Sequence, residues 1–228
     1  DARPAFREGH SVVLYVATIF LSSFLLFLVQ PLIARLILPW FGGSAAVWTT
    51  CMLFFQALLL AGYAYAHLLA RYSRRRLEPL IHSVLLVAAL ATLPIAPGEA
   101  WKPTGSEDPV IWILLLLGAA VGLPYFLLAA NSPLLQAWFA RARPGENPYR
   151  LFAVSNLGSL VALLGYPFLL EPNLGGGGQV TLWSLLFAAF AVLCVAVAWG
   201  TPPKRAAEEE RAALAPLAAG DIVLWLAL

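Results

Sequence analysis

Residues 11–39 read SVVLYVATIFLSSFLLFLVQPLIARLILP, and residues 110–139 read VIWILLLLGAAVGLPYFLLAANSPLLQAWF. Each is longer than the roughly 20 apolar residues a helix needs to cross the hydrocarbon of a bilayer. They also share a string. The first holds Phe24-Leu25-Leu26, four residues, then Pro31-Leu32, and the second holds Phe126-Leu127-Leu128, four residues, then Pro133-Leu134. A proline recurring about 100 residues later at the same point of a long apolar stretch marks an internal repeat. Two weaker matches keep the same offset. Leu59-Leu60-Ala61-Gly62-Tyr63 returns as Leu163-Leu164-Gly165-Tyr166, and Leu85-Leu86, Ala88-Ala89, Ala91 and Leu93 return as Leu185-Leu186, Ala188-Ala189, Ala191 and Leu193.

Outward from these two stretches, six apolar segments lie between polar or Pro/Gly breaks: about 11–39, 46–70, 79–96, 110–139, 149–170 and 179–199. The composition agrees. Of 228 residues, 61% are hydrophobic and 11% charged, against roughly 45–50% and 25% in a soluble domain, and the mean hydropathy is +0.81. A water-soluble globule, a disordered tail and a nucleic-acid-binding domain are excluded, and the partner is the lipid bilayer. Three spans per repeat is an odd number, so the second copy enters the membrane from the opposite side, the inverted arrangement of secondary transporters. The expected fold is therefore an all-α membrane protein of six transmembrane helices in two inverted three-helix repeats, about 11–96 and 110–199. Pro31 and Pro133 remove backbone donors and predict a kink in each long helix.

Basic residues set the orientation. With the N-terminus inside, the inner side receives Arg3, Arg7, Arg71, Arg74, Arg75, Arg76, Arg141, Arg143, Arg150, Lys204, Arg205 and Arg211, whereas the outer loops receive only Lys102. The outer loops hold Glu99, Glu107, Asp108 and Glu171, with the run Gly175 to Gly178, which lacks the Lys-Ser/Thr of a phosphate loop and reads as a flexible connector. Residues 201–219 read as a cytoplasmic linker. Asp221 and the seven apolar residues to Leu228 read as the start of a seventh span, so the natural protein is expected to continue; the chain opens on Asp1 and its one methionine is Met52. Cys51 and Cys194 lie inside apolar runs, with neither a disulfide framework nor metal-ligand spacing. No cofactor or metal is expected.

Residues 31–67, PLIARLILPWFGGSAAVWTTCMLFFQALLLAGYAYAH, and 147–172, NPYRLFAVSNLGSLVALLGYPFLLEP, resemble the membrane region of a bacterial family described as fused major-facilitator/spermidine-synthase-like proteins. The resemblance covers nearly the whole chain. It implies a major-facilitator-like half-bundle in the bacterial cytoplasmic (inner) membrane, joined in the family to further spans and an aminopropyltransferase-like Rossmann domain. No glycine-rich strand-loop-helix occurs in these residues, so the transferase half maps onto none of them. The basic loop of major-facilitator proteins between their second and third spans corresponds to GYAYAHLLARYSRRR, 62–76. The Asp usual before those arginines is here Ala or Leu.

Polar groups inside the spans are the site candidates. They are Gln30, Arg35, Gln56, Asn131, Gln136 and Asn156. Arg35 falls in the outer interface, where it anchors by snorkelling or meets an anion. Gln56 is the deepest strong polar group and is expected to point into the bundle and bond another helix, or to bind substrate. Asn131 and Asn156 lie at equal depth and are expected to bond each other, while Asn156, Gly158 and Ser159 form a small-residue face for close helix approach. His67 reaches the inner interface and reads as a surface residue. Trp40, Trp48, Trp101 and Trp138 near span ends fit an aromatic belt. No Asp or Glu lies deep in the six spans. Two functions follow: a transporter-like bundle binding a small polar or cationic solute, with polyamine implied by the family name, or a scaffold packing against subunits of a larger membrane complex. An intramembrane enzyme lacks its catalytic set, with no Ser/His pair at a sensible depth, no HExxH and no paired acids.

Overall fold

The computed structural model describes residues 3–72, 77–105, 108–143 and 146–200, with side chains from residue 12 onward. Among the described residues the architecture is all-helical: α1 (Arg3–Phe41), α2 (Ala45–Tyr72), α3 (Leu77–Ala91), α4 (Pro109–Ala142), α5 (Tyr149–Asn173) and α6 (Gly176–Gly200). All but α3 are long and apolar enough to cross a membrane. The predicted segment 79–96 is cut short, because α3 has 15 residues and so spans about 22 Å against about 30 Å of hydrocarbon. Its helix closes at Ala91 in a tighter turn, Thr92 N–H to Ala89 O and Leu93 N–H to Leu90 O, just before Pro94, which has no donor to continue it.

Local chemistry sets the other boundaries. The Asp108 carboxylate accepts from the backbone N–H groups of Val110 (2.9 Å) and Ile111 (3.1 Å), capping α4 with Pro109 at its first position. Gly42 has φ +80° and its N–H bonds Leu38 O at 2.8 Å, the left-handed stop that glycine makes at a helix C-terminus. Gly176 to Gly178 open α6, with Gln179 N–H on Gly175 O, so the expected connector is instead its first turn. The helices run unbroken through Pro31 and Pro133. The irregular turns are elsewhere, as wide π turns at Gly118–Gly122 and Tyr166–Leu170. In the second, Pro167 offers no N–H and the Glu171 N–H reaches back five residues to Tyr166 O; in the first, the extra residue precedes Pro124.

Side-chain pairs fix the helix directions. Along α1 and α4, Tyr15 meets Phe139, Ser22 meets Asn131 and Gln30 meets Tyr125, so the two are antiparallel. Gly158 of α5 abuts Phe20 and Arg35 reaches Glu171, so α5 runs with α1. On α6, Trp183 Nε1 donates to Leu25 O at 3.1 Å and Gly176 lies against Leu36, so α6 opposes α1. Phe55 touches Tyr125 while Gly62 touches Ala129, so α2 runs with α4. Glu78 at the start of α3 bonds Trp138 and Arg141 at the end of α4, so α3 opposes α4. Directions alternate along the chain. Helix α1 is central, packed by α4, α5 and α6 through buried Ile19, Leu25, Leu28, Val29, Leu32, Ile33 and Ile37.

Two glycines bring helices to backbone contact. A Cβ on Gly158 would sit 2.6 Å from Phe20 O and 2.7 Å from the Ser23 hydroxyl, and one on Gly62 would sit 2.8 Å from the Ala129 Cβ and 2.9 Å from Phe126 O. The small-residue face read around Gly158 is thus where α5 meets α1. Residues 201–228, which carry the expected linker and seventh span, and Arg74, Arg75 and Arg76 of the basic loop lie outside the described residues.

Candidate functional site

Near the middle of the bundle α1, α4 and α5 part around a cleft of about 440 Å³. Its polar lining is Ser22 and Ser23 from α1, Ser132 from α4, and Ser155, Asn156 and Ser159 from α5, with Tyr63 of α2 at its edge; Leu26, Phe27 and Phe152 are among its apolar walls. Ser22 lies ten residues beyond Val12, the first residue of the apolar span, or about 15 Å along the helix.

Three of the hydroxyls in this cleft have committed their protons. Ser23 donates to Ile19 O at 2.6 Å, Ser22 to Ile19 O at 3.0 Å and Ser159 to Ser155 O at 3.0 Å. A serine hydroxyl has one proton and two lone pairs, so oxygens bonded this way offer acceptors to whatever enters. Ser132 accepts from Gln136 Nε2 at 3.2 Å. Behind the cleft, fully buried Asn131 donates to Ser22 Oγ at 2.7 Å and accepts from the Cys194 thiol at 3.4 Å. The expected Asn131–Asn156 bond is not formed. Asn131 lies on the α4 face toward α1 and α6, where Ser22 and Cys194 satisfy its amide, while Asn156 is exposed on the cleft wall.

Of the sequence candidates, Asn156 lines the cleft, and Asn131 and Gln136 support it through Ser22 and Ser132. Gln30 is remote, donating to the Tyr125 hydroxyl at 3.4 Å. Arg35 is farther still, about 18 Å along the helix from Ser23, where its guanidinium donates to Glu171 O at 3.4 Å and ties α1 to α5. Gln56 departs from expectation. It is exposed, because the buried stripe of α2 runs through Val47, Cys51, Phe54, Phe55, Gly62, Ala66 and Leu69, and Gln56 shares the opposite face with exposed Met52, Leu53 and Leu60.

Sequence reasoning missed a second polar group. Glu78, placed just before the third span, is 4% exposed and ion-paired with Arg141, a buried carboxylate in the first turn of α3. Trp138, expected in an aromatic belt, is buried and donates to Glu78 at 3.0 Å. His82, also buried, lies beside it. The available signal was the i,i+4 spacing of Glu78 and His82, which puts both on one face of α3. His67 is exposed, as its depth predicts. At the opposite end, Lys102 lies 5.7 Å from the centre of the Trp40 ring, and Trp112 donates to Trp101 O at 2.9 Å. Among the described residues, no three His, Cys, Asp or Glu side chains cluster to hold a metal ion. No family model, curated protein or solved structure matches this chain, and its site is therefore defined by its own geometry.

Proposed function

We propose that this chain is a transporter-like membrane half-bundle, six spans in two inverted repeats with its N-terminus on the cytoplasmic side of a bacterial inner membrane, and that its central cleft binds a small polar or cationic solute. The cleft's inventory carries the proposal: Ser22, Ser23 and Ser159 have given their protons to backbone carbonyls, so the site favours a ligand rich in N–H or O–H donors. Two features support the two-fold plan. Directions alternate along the six helices, and α1 packs on α5 as α2 packs on α4. Among the described residues no carboxylate lines the cleft, so an amine would be held by oxygen lone pairs and the amide of Asn156. The resemblance of 31–67 and 147–172 to the fused family adds polyamine as the first amine to test and supports reading the chain as part of a larger fused protein.

Binding of labelled spermidine and of a neutral polyol to the purified protein in nanodiscs tests this. We expect saturable binding of at least one, weakened about tenfold or more by the double variant Ser23→Ala, Ser159→Ala. Absence of binding by both, or binding indifferent to the double variant, would overturn the assignment. One observation favours a second function, that of a scaffold within a membrane complex. Gln56 sits mid-span on an exposed face with Met52, Leu53, Leu60 and Tyr63, and a glutamine facing hydrocarbon alone is costly. Stoichiometric partners retained in mild detergent by the native chain but lost by Gln56→Leu would support that function.

A further inference from the structure

A buried ionisable cluster stands apart from the cleft, where α2, α3 and α4 meet. One oxygen of the Glu78 carboxylate accepts from Arg141 Nη1 at 3.0 Å, and the other from Arg141 Nη2 at 2.5 Å and from Trp138 Nε1 at 3.0 Å. One turn along α3, His82 is 0% exposed. Its Nδ1 lies 3.3 Å from the Tyr65 hydroxyl of α2 and its ring stands edge-on to Trp138 at 6.0 Å, but its Nε2 has no hydrogen-bond partner among the described residues. Buried polar atoms are rarely left unpartnered, and each such case needs a reason. Here a buried imidazole sits one turn from a carboxylate that a cation holds. Ionisable side chains so placed within membrane bundles are the usual elements of proton sites.

We propose that His82 is a proton-binding site of this bundle, with Glu78 as its counter-charge and Arg141 as the cation it displaces. A proton from water adds to whichever ring nitrogen is bare, forming one N–H bond and turning the neutral imidazole into imidazolium, with no change in electron count. The Tyr65 hydroxyl can donate to Nδ1 or accept from it, so it satisfies that nitrogen in both charge states. The groups facing the ring are Glu78 on its own helix, Tyr65 from α2 and Arg141 with Trp138 from α4, with Cys194 of α6 close to Tyr65. Two cations then flank one carboxylate. The Arg141 side chain is 20% exposed against 6% for that of Glu78, so the guanidinium is the partner able to turn to water, leaving Glu78 to the imidazolium. Proton binding thereby loosens the tie between α3 and α4. The cluster shares no residue with the cleft, so the assignment stands whether or not a solute binds there.

The test is an NMR titration of the full chain in nanodiscs, labelled with 15N-histidine and 15N-tryptophan, from pH 8 to pH 4. Of the three histidines, His82 is identified by elimination with His10→Asn and His67→Asn, so the cluster itself stays native, and the Trp138 indole is identified with Trp138→Phe. We expect the His82 ring nitrogens to move to imidazolium positions in that range, and the Trp138 indole N–H, which reports on Glu78, to move with the same midpoint. Glu78→Gln is expected to weaken proton binding about tenfold and Arg141→Met to strengthen it by a similar factor. A His82 that stays neutral down to pH 4, or that titrates without any response at Trp138, would overturn the proposal, and both outcomes are read on the native cluster even where a variant does not fold.

Discussion

A methyl group at position 158 would lie 2.6 Å from the Phe20 carbonyl oxygen, a separation that real Cβ atoms do not adopt, so α5 lies this close to α1 only because residue 158 has no side chain. Gly158→Val is expected to destabilise the protein by about 1–3 kcal/mol, the range for overpacking a close-fitted contact, and to lower its melting temperature in detergent. Gly165, seven residues on, has nothing within 4 Å of an added Cβ, and Gly165→Ala should leave the melting temperature unchanged or raise it, since alanine favours the helix by up to about 1 kcal/mol. Equal losses at the two positions would show that the close approach is not what fixes α5. The small-residue face around Gly158 was legible in the sequence because size is a property of the residue itself. The partner of Asn131 was not, because depth along a helix says nothing of the direction in which an amide points. Its actual partner, Ser22, was hidden as one hydroxyl in an apolar run.

For the elements, the apolar lengths were legible and five of them became helices long enough to cross a membrane. What the sequence did not reveal came from backbone donors rather than from hydropathy. Helix α3 stops before Pro94, and Pro167 stands inside the widened turn of α5; an apolar average registers neither. At 15 residues, α3 crosses the membrane only if flanking residues or a thinned bilayer make up several ångströms, at a cost of fractions of a kcal/mol per ångström. The six-span proposal therefore has its sharpest test here. Native Cys51 and Cys194 are both buried, so they form a quiet background for labelling with a membrane-impermeant maleimide. Tyr72→Cys, at the exposed end of α2, and Gly98→Cys, in the exposed loop after α3, are expected to react from opposite sides of the membrane. Reaction of both from one side would leave α3 as a helix that enters without crossing, and would remove the inverted repeat with it.

At the scale of the whole molecule, polar groups fall into two populations that composition could not separate. Asn131, Ser22, Glu78 and His82 are buried between helices, whereas Gln56 is turned outward among Met52, Leu53 and Leu60. With charged residues only 11% of the chain, each polar side chain within a span carries a cost that some contact must offset. Inside the bundle those contacts are visible: Ser22 and Cys194 for Asn131, Arg141 and Trp138 for Glu78. The amide of Gln56 lies on the surface of the bundle that the described residues form. The two populations should respond oppositely to the same substitution. Asn131→Leu leaves the Ser22 oxygen and the Cys194 thiol without their partner, and is expected to cost about 1–2 kcal/mol of stability. Gln56→Leu replaces an exposed amide by an apolar side chain on an apolar face, and is expected to leave thermal stability in detergent or nanodiscs within about 0.5 kcal/mol of the native chain or above it. A loss at Gln56 as large as that at Asn131 would mean that the α2 face carrying it is buried within the folded chain.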